Sequence, residues 1–287
     1  MSTQRVKSNK RKTEGRRQFL RSSLFAGALL SVSLAGYIPL LQGSSIRLRP
    51  PGAVKSGSDE QEFFAACIKC GQCVQVCPVE AIKLADIDDG FGIGVPWIEA
   101  RAQACDFSCD GLQCVLACPT GALTHKLNYP AESTMGFARL ATPSRCLAVR
   151  GEGLKGAARP APYAGKLRYP DIDRWVPQPV HAQQYDLELC DLCVRLCPIE
   201  QRIEQCAEGK PPSGDQNQCP PKHAIWLQPV AGGTSRQWQP EVLDGCVGCG
   251  VCEMVCPVSE PCIVIDDECD RLLLTDLPSQ TAVVGNI

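Results

Sequence analysis

The sequence predicts an α+β chain with little regular secondary structure, organised as two cofactor-centred modules in tandem. Three observations carry that expectation. Of 287 residues, 20 are cysteines, and most of these fall into four short groups that make an internal repeat. Three of the groups are followed by a brief apolar segment ("PVEAIKLAD", "PTGALTHKL" and "PCIVIDD"), which reads as a helical turn and then a short strand. Aromatic residues make up only 6% of the chain, so large side chains from which to build a core are scarce. Net charge of −2 and a pI near 6.0 point away from nucleic acid and from an anionic membrane surface.

The N-terminus reads as an address. Residues 1–15 are basic and polar, and "RRQFLRSS" follows, with Arg16 and Arg17 paired and Phe19 and Leu20 behind them. From Leu24 to Leu41 runs an uncharged, mostly apolar stretch of 18 residues. Together these read as a twin-arginine export signal over residues 1–45, recognised by the twin-arginine translocation machinery, which places the protein in the periplasm. "SLA" at 33–35 suits cleavage, while 18 residues is also near the minimum for a membrane span, so cutting and anchoring both stay open. Residues 46–62, rich in Gly, Ser and Pro, read as a linker to the first folded module.

The cysteine groups come next. The first is Cys67, Cys70, Cys73 and Cys77, and the second is Cys105, Cys109, Cys114 and Cys118. The third is Cys190, Cys193 and Cys197, and the fourth is Cys246, Cys249, Cys252 and Cys256. A proline follows the last cysteine of each. Three closely spaced thiolates on a tight loop suit three irons of one [4Fe–4S] cubane, and a fourth, further on, suits a neighbouring cluster, as in bacterial two-cluster ferredoxins. Gly71, Gly248 and Gly250 let the backbone approach closely. The proline reads as the first residue of a helix, where its missing N–H costs nothing.

Rival chemistries fit less well. Structural zinc uses C-x2-C pairs separated by a longer spacer. Haem attachment needs C-x-x-C-H, which is absent, and none of His125, His181 and His223 lies next to a cysteine loop as Rieske ligation requires. Crossing the fourth cysteines gives cluster I on Cys67, Cys70, Cys73 and Cys118, and cluster II on Cys105, Cys109, Cys114 and Cys77. The third group lacks its first cysteine, because Leu187 stands where the repeat predicts one. Cys146, Cys206 and Cys219 remain as donors.

The chain resembles the NapG/MauM family of ferredoxin-type proteins, exported polyferredoxins associated with periplasmic nitrate reductase and with methylamine utilisation. The twin-arginine segment, "RLRPPGA" at 47–53 and the four cysteine groups carry the resemblance. In that family the first ligand of the third group is displaced upstream, in a form similar to "RCLAVRGEG" at 145–153. The resemblance therefore implies cluster III on Cys146, Cys190, Cys193 and Cys256, and cluster IV on Cys246, Cys249, Cys252 and Cys197. Four [4Fe–4S] clusters follow.

Two two-cluster ferredoxin-like modules are then expected, over 63–145 and 146–275, with a tail at 276–287. A departure from the family pattern lies between Cys146 and Cys190, which have 43 residues between them. The stretch 154–185 carries five prolines and more positive than negative charge, and shows no periodicity. It reads as a surface loop, or as a docking loop with Tyr169 and Trp175 as anchors. Sixteen ligands leave Cys206, Cys219, Cys262 and Cys269. Disulfides Cys206–Cys219 and Cys262–Cys269 suit an oxidising compartment, free buried thiols are the alternative, and Cys219 is the second choice as a ligand of cluster III.

No motif for substrate chemistry is present: no Gly-rich dinucleotide loop, G-x-S-x-G or H-E-x-x-H. The expected role is an electron carrier, not an enzyme. The resemblance implies a relay from a membrane-bound, ferredoxin-type quinol dehydrogenase to a periplasmic reductase, such as nitrate reductase, or to a cytochrome c. Two alternatives are the iron–sulfur subunit of a molybdopterin oxidoreductase and a maturation factor for a periplasmic enzyme such as methylamine dehydrogenase.

Overall fold

The computed structural model describes residues 48–53, 59–86, 92–109, 111–169 and 173–266, with isolated positions at 19, 21, 23 and 27. Arg16, Arg17 and Leu20 of the export signal, nearly all of the apolar stretch 24–41, Cys269 and the tail 276–287 lie outside the described residues, while Phe19 is exposed. Among the described residues no helix is long and apolar enough to cross a membrane.

Cysteine loops interrupt every periodic run, so the elements are short. Helix α1 (Asp59–Ala66) leads into the first loop. Four single-turn helices follow the loops: α2 (Gln72–Gln75), α3 (Gln113–Leu116), α4 (Leu192–Arg195) and, later, α6 (Val251–Met254). Each contains the next-to-last cysteine of its group and ends before the last. This corrects the expected order of proline first and helical turn second. Of the four prolines that follow the groups, Pro198 alone opens a helix, at the start of α5 (Pro198–Ala207). The reason lies one residue before the turn. Gly71 and Gly250 take left-handed backbone (φ 74° and 90°), reversing the chain so that the helix starts early.

Ten strands are described, paired as five antiparallel two-stranded ribbons. Strand β1 (Ile82–Leu84) pairs with β2 (Pro96–Ile98). After the second group no strand forms, and Leu123 makes a single bridge to Ala53. Strand β3 (Phe137–Leu140), which the sequence reading places in the first module, pairs instead with β10 (Ile263–Asp266), from Leu140 opposite Ile263 to Phe137 opposite Asp266. An Arg139–Asp266 ion pair closes that ribbon. Strand β8 (Ile225–Pro229) pairs with β9 (Trp238–Val242).

The insertion is built, not irregular. Strand β4 (Leu154–Ala157) pairs with β7 (Gln184–Leu187), and β5 (Lys166–Tyr169) with β6 (Asp173–Pro179). Four-residue strands are too short to show a period in the sequence, and Pro179 sits at the end of its strand. Tyr169 is buried at 8% exposure, its hydroxyl 3.4 Å from that of Tyr185, so it is a core residue and not a docking anchor. Trp175 lies on β6. The insertion is pinned to the first half. Buried Gln103 exchanges two hydrogen bonds with the Lys166 backbone (2.9 and 2.8 Å), and the Asp106 carboxylate accepts from the Arg168 N–H at 3.0 Å.

A two-stranded ribbon is marginal alone, so these ribbons depend on what they cover. Phe63, Leu112 and Val115 from the first half share one buried core with Leu192, Ile199, Val251 and Met254 from the second. Fully burying each such side chain contributes roughly 1.5–3 kcal/mol.

Candidate metal centres

Among the described residues no three His, Cys, Asp or Glu side chains are grouped to hold a single metal ion. The thiols instead surround four hollows. Cys67, Cys70, Cys73 and Cys118 line one of about 370 Å³, measured out to its open mouth. Cys77, Cys105, Cys109 and Cys114 line the second, about 320 Å³. Cys146, Cys190, Cys193 and Cys256 line the third, about 400 Å³. Cys197, Cys246, Cys249 and Cys252 line the fourth, about 340 Å³. The structure thus brings together each set of four that the sequence reading groups, with the last cysteine of each group facing its neighbour's hollow.

Local backbone explains the crossing. After α2 the chain turns at Cys77, whose sulfur accepts the N–H of Ala81 at 3.3 Å. After α3, Cys118 accepts the N–H of Leu123 at 3.4 Å. These amides point at sulfur, which suits a thiolate. Although burial opposes it, the Leu123 amide and the Thr120 hydroxyl hold the Cys118 thiol below its ordinary range.

The third hollow depends on the insertion's stem. Pairing of Leu154 with Leu187 folds out everything between β4 and β7, and the Cys190 N–H donates to the Glu152 carbonyl at 3.1 Å. The 43 intervening residues are therefore bypassed, and the Cys146 loop lies against the Cys190 loop. Gly153 is required there, because a Cβ at this position would run into the Leu187 carbonyl.

Buried thiols with no cation among them resist ionisation. Burial first, then the neighbouring Cys67, pushes Cys73 up to about 11. Burial lifts Cys190 to about 11 and Cys197 to about 12, and it raises Cys105, Cys193, Cys249 and Cys252 strongly. Sulfur ligands bind as thiolates, so a cationic group in the hollow would remove this penalty. Four converging thiols, amide donors to sulfur and a hollow larger than one ion fit an iron–sulfur cluster in each place.

Three side-chain placements bear on the remaining cysteines. Cys206 and Cys219 form a disulfide, so Cys219 is not available as a ligand. Cys262 is a buried free thiol. It also lines the third hollow, which the sequence reading did not foresee. The usable signal was its register with the alanine that precedes β1 in the first half.

Comparison with known proteins adds the family. Residues 66–122 match the 4Fe-4S dicluster domain. The ferredoxin-type protein NapG of Escherichia coli is 32% identical over 88% of this chain and 85% of its own length. The chain belongs to the NapG/MauM family of ferredoxin-type proteins. Within that family NapG of Haemophilus influenzae is 30% identical, over 87% of this chain and 71% of its own. The methylamine utilization ferredoxin-type protein MauM of Methylorubrum extorquens is 27% identical, over 88% and 90%. No solved structure matches the chain. As a ferredoxin-type iron–sulfur protein the chain is an electron carrier, not an enzyme.

Proposed function

We propose that the four hollows each hold a [4Fe–4S] cluster on the cysteine sets above, in two two-cluster modules. On this reading the chain relays electrons in the periplasm, from a membrane quinol dehydrogenase to a periplasmic reductase or its cytochrome. The observation that carries it is the convergence of sixteen cysteines into four crossed sets of four. A bound cluster would supply reversible one-electron chemistry, with potentials spanning roughly −700 to +450 mV by surroundings. The chain's own residues hold the centres near one another, because each group gives ligands to two of them. They also grade solvent access: Cys70 is exposed, whereas Cys249, Cys252 and Cys256 are buried. The centre at Cys70 is the one a partner would reach first.

Export by the twin-arginine route agrees with this role, since that route carries folded, cofactor-loaded proteins. A second reading, a part in assembling a periplasmic amine-oxidising enzyme, is favoured by the relatives named for methylamine utilization. Iron and acid-labile sulfide, counted on anaerobically purified protein beside an EPR-monitored redox titration, test the relay. About sixteen irons with clusters reduced in the range of a quinol are expected. Zinc in their place would overturn it.

A further inference from the structure

The third hollow is lined by six thiols where each of the others has four: its own set, Cys252, which also lines the fourth hollow, and one that belongs to no set. The unassigned one is Cys262, at 3% exposure. It is buried in one cluster with Cys146 and Cys256 and lines the same hollow as both. Its backbone is fixed, because the carbonyl accepts from Ala141 and Thr142 N–H groups at 2.7 and 3.1 Å.

The internal repeat shows what normally stands there. Ala81 precedes Ile82 at the start of β1, and Ala122 precedes the bridging Leu123, just as Cys262 precedes Ile263 at the start of β10. All three positions are buried, at 0%, 4% and 3% exposure. Ala122 lines the hollow of Cys118 in the way Cys262 lines the hollow of Cys256. A small, inert, hollow-facing position has here become a sulfur donor.

We propose that Cys262 and Cys146 are interchangeable fourth ligands of the third centre, so that this centre exists with either ligand set. Cys190, Cys193 and Cys256 are common to both. Cys146 comes from a loop held by the insertion's stem, whereas Cys262 comes from the β3–β10 ribbon. Movement of the insertion would therefore exchange the ligand instead of releasing the cluster.

The inference rests on the four-cluster reading, and one experiment separates the two. Full-length wild type, Cys146→Ser, Cys262→Ser and the double variant are purified anaerobically. Iron and sulfide are counted, and reduced samples are examined by EPR. Wild type far below sixteen irons overturns the four-cluster reading itself. With wild type near sixteen, the expected result is about sixteen in each single variant and about twelve in the double. Two overlapping signals of the third centre in wild type should reduce to one in each single variant, a different one in each. A fall to about twelve in either single variant alone overturns the interchange. The signals of the other three centres report folding in every sample. Should Cys146→Ser fail to fold, a Cys262→Ser spectrum identical to wild type overturns it equally.

Discussion

The backbone N–H of Cys105 donates to the carbonyl of Cys249 across 3.2 Å. Cys105 lines the second hollow and Cys249 the fourth, so this hydrogen bond runs directly from one half's cysteine loop to the other's. Asp106 lies beside the same junction, and its carboxylate holds the insertion at Arg168. Close backbone approach is possible because Gly250 sits against Ala100 and Ala104.

A Cβ at Gly250 would lie 2.6 Å from the Ala100 Cβ, in left-handed backbone with φ of 90°. The equivalent Gly71 has a similar φ of 74°, but its nearest neighbour would be Leu84 Cδ1 at 3.9 Å. Gly71→Ala should therefore cost only the conformational term, about 1–2 kcal/mol. Gly250→Ala should cost about 1–3 kcal/mol more from overpacking. Thermal bleaching of the visible iron–sulfur absorption measures the difference, and equal midpoints for the two variants would show that the junction is not tight.

Arg101, from the first half, caps the turn around Cys256 in the second. It donates to the carbonyls of Glu253 (2.5 Å), Cys256 (3.0 Å), Val258 (2.5 Å) and Ser259 (3.1 Å). Tyr163 donates its hydroxyl to the Arg101 and Ala102 carbonyls, and the Arg159 guanidinium stacks on the Tyr163 ring at 4.4 Å. Arg101→Met removes a charge-assisted network worth about 2–3 kcal/mol. It also removes a positive charge beside one cysteine ligand, so the reduction potential of that centre should fall while the others hold. Arg101→Lys should keep the potential and lose the stability, because a point charge cannot span the same carbonyls. An EPR titration paired with thermal bleaching separates the two effects.

The first two thiol sets were legible because ligand spacing is local: short gaps put the sulfurs of Cys67, Cys70 and Cys73 on one loop whatever the rest of the chain does, and Cys246, Cys249 and Cys252 follow the same rule, although the assignment of Cys197 to them came with the resemblance. The third set was legible only through resemblance, since Cys146 and Cys190 meet by a β4–β7 pairing that no local pattern announces. Tyr169 was misread for the same reason. Its strand, "KLRY", alternates buried and half-buried positions over four residues, less than one needs to see a period. The helical turns were placed on the wrong side of proline because a left-handed Gly71 or Gly250 outweighs proline's preference for a first turn. The β3–β10 ribbon joins residues more than a hundred apart, and nothing in "FARL" points to "IVID".

The Cys206–Cys219 disulfide closes a loop of 13 residues between the end of α5 and the turn before β8. Closing a loop of this length stabilises by about 3 kcal/mol in the chain-entropy picture. Replacing both cysteines with serine should lower stability by about that amount and leave about sixteen irons per chain. Loss of iron in the double variant would mean that one of the pair ligates, against the arrangement found here.

Gly153 is the hinge point of the insertion's stem. Its neighbours across the ribbon are the Leu187 carbonyl and the Glu188 backbone, the latter at 2.8 Å from an added Cβ. Gly153→Ala must push β4 from β7 just where Glu152 accepts from Cys190, and overpacking of this kind costs about 1–3 kcal/mol. That loosening falls on the centre of Cys190 and Cys193, whichever thiol completes it. Its loss under an iron chelator should accelerate about tenfold, with the other three centres unaffected, since 1.4 kcal/mol corresponds to a factor of about ten. Lys155→Ala, on the same strand, removes only an exposed pair with Asp186 and should leave the rate unchanged. Equal rates for Gly153→Ala and wild type would mean that the stem does not hold the third centre together.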